Sequence, residues 1–310
     1  MKTSVLPKRR TYWHLEAQRR VPTEYEVVTS KLLYYGARGF EVNVPLGAWY
    51  ARHQQGSPLG CSDWERFADP RATTYARYVD LQQAQEAFTD GVLCTIDETD
   101  YDERLSADWV EVLGRVLGPL RYPLHGLQMA AAYVAQMAPS GRITVTAMMQ
   151  AADEMRRVHH LAHRMAQLRR TVCGFGDDSR AIWQDDPRWQ PLRELVERLL
   201  SCFDWGEALV ALNVVAKPEL ERVLLADLGQ IARRRGDPLL ESLLLSFARD
   251  GDWHREWSSA LLRMAIDDKP ENQETVAVWV TRWSPLAARA ATAVATLFDP
   301  PRSSPEVPCT

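Results

Sequence analysis

The sequence predicts an all-α fold, a large helical bundle preceded by an extended, aromatic-rich arm. Three observations carry that expectation. From residue 71 onward, apolar residues recur every three or four positions in long runs, and strand-like alternation is essentially absent. The runs are joined by short connectors marked by Pro and Gly, the wiring of a bundle. Before residue 71, Pro7, Pro22, Pro45, Pro58 and Pro70 recur with Gly36, Gly39, Gly56 and Gly60, so no long helix runs there.

The arm is placed at 1–70. It carries Tyr12, Trp13, Tyr25, Tyr34, Tyr35, Phe40, Trp49, Tyr50, Trp64 and Phe67, more aromatics than a disordered tail holds. Such a segment buries its rings by lying across another surface, with at most short helical turns such as 49–55. The helical domain is placed at 71–298. Its first helix spans 71–95, with Tyr75, Tyr78, Val79, Gln82, Phe88 and Val92 at helical spacing. A break at 97–102 precedes a second helix capped by Ser106. Pro119 and Pro123 separate this from a third, 124–137, which is apolar almost all round and therefore buried. A fourth covers 143–172, a loop follows at 173–186, and further helices occupy 188–203, 205–215, 218–235, 238–267 and 272–297. Residues 299–310, with four Pro, form a loose tail.

Composition bounds the function. The 310 residues are 46% hydrophobic, with a formal charge of −4, which favours neither nucleic acid nor an anionic lipid surface. The 11 Trp fit a thick core, extensive partner contacts, or both. Five Cys, odd in number and without a CxxC pair, argue against a disulfide framework or structural zinc. Neither a signal-peptide core nor a membrane-length apolar run is found, so a soluble cytoplasmic protein is expected.

Ferritin-like bundles, the ribonucleotide-reductase-like kind included, often house two metal ions. Each of two helices supplies a carboxylate, and each of two others a Glu-x-x-His pair, since residues i and i+3 share a face. Three positions before the seven His (His14, His53, His125, His159, His160, His163 and His254) stand Thr11, Tyr50, Tyr122, Arg156, Arg157, His160 and Gly251. None is acidic, so no metal ligand and no catalytic residue is expected here. Arg157 stands where the His of Glu154-x-x-His would be, and a guanidinium there neutralises a buried carboxylate instead of binding a cation. Asp252 and His254, at i and i+2, point to different faces. Glu154, Arg157 and Asp252 thus read as degenerate ligand positions. So does Glu207, an acid on an otherwise apolar segment for which Arg157 is a candidate partner. His159 and His163, at i and i+4, are an exposed polar patch or, with a third ligand, a zinc site. Gly174-Phe175-Gly176 follows a helix and is no dinucleotide loop. Arg233-Arg234-Arg235 before Gly236 are cations at a helix C-terminus.

The most specific stretches are Arg19-Arg20-Val21-Pro22-Thr23-Glu24-Tyr25, Val44-Pro45-Leu46-Gly47-Ala48-Trp49-Tyr50 and Asp63-Trp64-Glu65-Arg66-Phe67-Ala68-Asp69-Pro70-Arg71. They are joined by Arg121-Tyr122-Pro123-Leu124-His125-Gly126, Asp186-Pro187-Arg188-Trp189 and Asp204-Trp205-Gly206-Glu207-Ala208. Together these resemble the β subunit of bacterial multicomponent diiron monooxygenases, the toluene, alkene, phenol and methane hydroxylases. The resemblance runs over about residues 11 to 290 and is nearest the toluene and alkene branch.

The resemblance implies a non-catalytic subunit of an NADH- and O2-dependent hydrocarbon monooxygenase. The diiron site would belong to a partner α subunit, and this chain would hold no cofactor. Its partners would be the α and γ subunits, a second β subunit, an effector protein and a ferredoxin or reductase. Trp49, Tyr50, Trp64 and Phe67 of the arm are then expected to bury area against another chain. Two other readings remain: a free-standing ferritin-like metal oxidase using Glu154, Glu207, Asp252, His254 or the His159–His163 patch, and a helical adaptor unconnected with oxygen chemistry.

Overall fold

The computed structural model describes residues 22–30 and 45–298. The expectations for 1–21, for 31–44 (with Tyr34, Tyr35 and Phe40) and for the tail at 299–310 lie outside the described residues. Among those described there is no strand; every long element is a helix.

Two short helices come first: α1, Glu24–Thr29, with Thr23 and Glu26 forming a capping box, and α2, Pro45–Tyr50, which runs on as a π turn over Ala51–Gln55. The bundle begins at α3, Tyr75–Glu98, with Thr74 as N-cap. Next come α4, Ala107–Met137, and α5, Gly141–Thr171, which turns back along α4 and makes its most extensive packing. The short α6, Ser179–Asp185, and α7, Gln190–Leu200, lie against α4. A continuous helical run over 205–234, here α8, precedes α9, Pro238–Asp268, and α10, Asn272–Ala295. Trp109, Trp189, Trp205 and Trp257 are fully enclosed in the core these helices share. Burial on that scale is the main stabilising term of such a bundle.

Several expected boundaries are corrected. Pro119 and Pro123 sit inside α4 and do not end it. Pro119 removes the N–H that would have bonded the Arg115 carbonyl; the Trp189 indole N–H donates to that carbonyl instead, at 3.3 Å. The buried face of α4, running from Trp109 to Met137, holds the helix together across both prolines. The loop expected at 173–186 contains α6. The helices expected at 205–215 and 218–235 are one run, with Pro218 inside it. Two π segments, Val210–Ala216 and Arg222–Asp227, flank Lys217–Glu221 within it. Such wide turns re-aim side chains and recur at functional sites. The run ends at Gly236, whose φ of +80° closes the helix as a left-handed C′ residue.

The described residues before α3 lie on this chain's own bundle. Leu59 packs so closely on Gly206 that a Cβ there would collide with it, and Gly60 exchanges hydrogen bonds with Asn272 at 3.0 and 2.7 Å. Arg142 of α5, itself buried, donates to Ser30 Oγ at 2.7 Å and to the Phe67 carbonyl at 3.0 Å. Tyr25 accepts from the Asp69 amide, and Asp69 in turn accepts from the Trp253 indole at 2.9 Å.

That packing revises the expectation for the arm's aromatics. Phe67 is 1% exposed within the single chain, so it has no surface left for a neighbour. Trp64 is half-buried and stands edge-on to Trp205 at 5.0 Å. Trp49 donates to the Tyr133 hydroxyl at 3.1 Å and stacks edge-on to Phe203, and Tyr50 donates to the Gln136 carbonyl. Trp49, Tyr50 and Trp64 are engaged by α4, α8 or the loop between α7 and α8, and Phe67 stands edge-on to Trp257 of α9 at 6.4 Å; the prolines and glycines around them let the segment follow the bundle's surface.

Candidate functional site

The bundle interior holds a concentration of charge that an all-apolar core would not. Glu154 and Arg157, one turn apart on α5, are 0% and 1% exposed, and Lys217 of α8 is 1% exposed beside them. Arg157 donates from Nη1 to Glu154 Oε2 at 3.2 Å and to Glu221 Oε1 at 2.9 Å, and from Nη2 to the Phe247 carbonyl at 2.7 Å. The Lys217 ammonium hydrogen-bonds to Glu154 Oε1 and lies 2.9 Å from Glu221 Oε1. Arg255 closes the outer side at 2.8 Å from Glu221 Oε2. Two buried carboxylates are thus matched by two buried cations, with a third cation at the rim.

Local sequence explains the placement. The i,i+3 spacing of Glu154 and Arg157 puts both on one face of α5, and the i,i+4 spacing of Lys217 and Glu221 does the same between the two π segments of α8. Gly251 of α9 makes the room: a Cβ at that position would run into the Glu221 carboxylate.

Behind this cluster lies a second polar layer. His254 Nε2 is 3.0 Å from Asp153 Oδ2. The Tyr78 hydroxyl and the Gln82 amide of α3 both donate to Asp153 Oδ1 at 2.7 Å. Asp250 accepts from Gln85 at 3.0 Å and from Arg156 at 2.5 Å. A cavity of about 440 Å³ whose lining includes Tyr78, Gln82, Asp153, Asp250 and Trp253 adjoins this layer. The other ring nitrogen of His254, Nδ1, has no hydrogen-bond partner and stands 3.8 Å from Glu154 Oε1.

Burial and neighbours set the protonation states. Burial alone would raise the Glu221 carboxyl, but Lys217 and Arg157 outweigh it and hold the group down at about 2. Burial, reinforced by the positive charges of Lys217 and Arg157, keeps His254 well below its usual value. Asp153 is pushed well above the carboxylate range by burial and by the Asp250 charge. Both shifts act in the same sense, against the charged form of each partner in the Asp153–His254 pair.

Of the residues singled out from sequence, Glu154 and Arg157 meet in this centre and His254 borders it. Glu207 does not. It accepts from Arg282 at 2.6 Å and from the Trp283 indole at 2.9 Å, so Arg157 is not its partner. Asp252 is exposed and pairs with Arg255. His159 and His163 are both exposed on α5. Sequence reasoning missed Asp153, Lys217, Glu221 and Asp250. The available signal was a Lys and a Glu one turn apart, following the apolar stretch Val214-Val215-Ala216. Among the described residues one group has metal-ligand geometry, Glu154, Glu221 and His254, whose ligand atoms lie within 4.8 Å of one another. No described helix is long and apolar enough to cross a membrane.

Comparison with known proteins places this arrangement. The family model for methane/phenol/alkene hydroxylases matches residues 49–269, a span that contains the whole centre. The β subunit of the hydroxylase component of the toluene-4-monooxygenase system of Ectopseudomonas mendocina is 36% identical, over 94% of this chain and 90% of its own length. An oxygenase component of phenol 2-monooxygenase from Pseudomonas sp. strain CF600 is 27% identical over 93% of this chain and 87% of its own. The small subunit of the propane 2-monooxygenase hydroxylase from Gordonia sp. strain TY-5 is 25% identical over 77% of this chain. Among solved structures, a chain of toluene 4-monooxygenase with toluene in its resting active site superposes with a TM-score of 0.89, covering 93% of this chain and 97% of that one. A chain of xenon-pressurised phenol hydroxylase from Pseudomonas sp. OX1 shares the fold at a TM-score of 0.85 and 24% identity. On the strength of the family match and the first of these relatives, the chain belongs to the methane/phenol/alkene hydroxylase family.

Proposed function

We propose that this chain is the non-catalytic β subunit of the hydroxylase component of a multicomponent hydrocarbon monooxygenase of the toluene and alkene type. The observation that carries this reading is the pair of cations, Arg157 and Lys217, set against the Glu154 and Glu221 carboxylates. A diiron centre needs about six ligands, four carboxylates and two imidazoles, free to face two dications. Here the Glu-x-x-His position is an arginine, the two inner carboxylates are already neutralised, and only one imidazole is present. The residues do not fit that group. Their arrangement serves instead to tie α5, α8 and α9 together at the place where such a bundle would be tied by metal.

On this reading the oxidation of substrate occurs in a diiron α subunit, and the role of this chain is to hold that partner's helices in position. The remaining partners are a γ subunit, a second copy of this chain, an effector protein and a ferredoxin or reductase, all in the cytoplasm. The test is co-expression with candidate α and γ hydroxylase subunits and a tag on this chain, followed by subunit analysis and iron determination. A large partner that co-purifies with all the iron is the expected result. A lone chain that carries stoichiometric iron of its own would overturn the proposal.

The metal-oxidase alternative has one observation in its favour, the grouping of Glu154, Glu221 and His254. It requires a dication to displace an ammonium and a guanidinium that are tethered to the same oxygens, so the subunit reading is preferred.

A further inference from the structure

We propose that Glu154, Glu221 and His254 form a latent site for one divalent first-row transition ion, held shut by the Lys217 ammonium. The inference deepens the subunit reading: the ion pairs do more than replace a lost centre, because they stand inside a ligand cage that is still assembled.

Three observations support the cage. The ligand atoms of the three residues already lie within 4.8 Å of one another. Metal–ligand bonds of about 2.0–2.2 Å allow separations of up to roughly 4.4 Å, so closure asks for a contraction of a few tenths of an ångström. The His254 ring is fully buried, and its Nδ1 lies unpartnered beside Glu154 Oε1 at 3.8 Å. Its opposite nitrogen is held by Asp153 at 3.0 Å, and Asp153 is held by Tyr78 and Gln82. That Asp153 contact on the far nitrogen fixes the orientation of the ring, the role an outer partner plays for a metal-binding imidazole. The cavity beside Asp153 brings solvent close to this layer.

The occupant is equally plain. Lys217 reaches both Glu154 and Glu221, so its ammonium takes the position a cation would take between them. Arg157 adds a second positive charge from the position three residues after Glu154. With both cations in place the two carboxylates are neutralised, and a dication gains nothing by entering. With Lys217 made neutral and Arg157 replaced by an imidazole, the cage presents two carboxylates and two imidazoles. That donor set suits cobalt, zinc or iron and is poorly suited to calcium or magnesium.

The test compares the full-length wild-type chain with the variant Arg157→His plus Lys217→Met, each in whatever complex it co-purifies with. Both are stripped with a chelator and titrated with Co(II), and the difference in uptake and in visible absorption is read per copy of this chain. The expected result is one extra Co(II) per chain in the variant, with ligand-field bands of nitrogen and oxygen coordination, and loss of both on adding His254→Gln. A folded variant with no extra cobalt overturns the proposal, as does equal uptake by the wild-type chain at these residues. Should the double variant not fold, Lys217→Met alone is titrated; weaker but measurable extra binding is expected, and none above wild type overturns the proposal. A wild-type chain that co-purifies with its partner while the variants bind nothing sinks only the latent site. A variant that gains the site in a chain with no partner sinks only the subunit reading.

Discussion

Replacing Glu221 by Gln tests whether the buried ion pairs stabilise the bundle. Glu221 faces Arg157 and Lys217 at 2.9 Å each and Arg255 at 2.8 Å. Each contact is worth about 5–6 kcal/mol at an effective dielectric constant of about 20, and burying the charges costs several kcal/mol per ion. The net effect shows in the carboxyl group itself. Its displacement from 4.5 to about 2 corresponds to roughly 3 kcal/mol of preference for the charged form in the folded chain. Breaking a buried pair by removing one partner costs about 3–5 kcal/mol, so Glu221→Gln should lower stability at pH 7 by about 3 kcal/mol. The pH dependence carries a sign. A depressed carboxyl contributes its stability above the unfolded value of 4.5 and loses it as pH falls toward about 2. His254 and Asp153 shift in opposite directions, and between pH 4 and 6.5 their effects on proton count oppose each other. Urea unfolding followed by Trp fluorescence, from pH 7 down to the acid limit of the folded state, reads the difference between wild type and variant. A gap of about 3 kcal/mol that closes progressively below about pH 4.5 is expected. A gap under about 1 kcal/mol at pH 7, or one that does not change with pH, would refute the reasoning.

Gly251→Ala should destabilise the chain by about 1–3 kcal/mol, because the new methyl group meets the Glu221 carboxylate. Adding the shorter Glu221→Asp should make the double variant less unstable than the sum of the singles in a thermal-melt cycle. Trp189→Phe removes the donor that satisfies the carbonyl freed by Pro119; a loss of about 1–2 kcal/mol in urea unfolding is expected beyond that of a Trp→Phe change at Trp205, whose indole makes no hydrogen bond. Arg142→Met should release 22–30 and the Phe67 strip, seen as faster hydrogen exchange there with the exchange of α9 unchanged. Protection that stays equal in both regions would contradict it.

The all-α fold was legible because long apolar periodicity survives any tertiary detail. The prolines misled for a physical reason: Pro119, Pro123 and Pro218 forbid local hydrogen bonds, but a helix buried on its packing face tolerates the loss when another donor arrives, as Trp189 does at Arg115. The site was half legible. Glu154-x-x-Arg157 is a local pattern and was readable on one helix. Lys217, Glu221 and Asp153 matter only because α5, α8 and α9 converge, and the π segments that aim the first two leave no signature in residue spacing. Of the four arm aromatics expected to meet another chain, Phe67 spends its whole surface on this chain's own bundle, while Trp49, Tyr50 and Trp64 stay partly exposed. Sequence reports the need for burial without saying which surface supplies it.

Lys217 and Arg157 occupy the carboxylates of the group Glu154, Glu221 and His254, which has metal-ligand geometry. Anomalous diffraction at the iron edge, from crystals of the complex that co-purifies with this chain, tests it most directly. Iron peaks in the partner subunit and none between Glu154, Glu221 and His254 are expected. An iron peak at those three residues in the wild-type chain would contradict it.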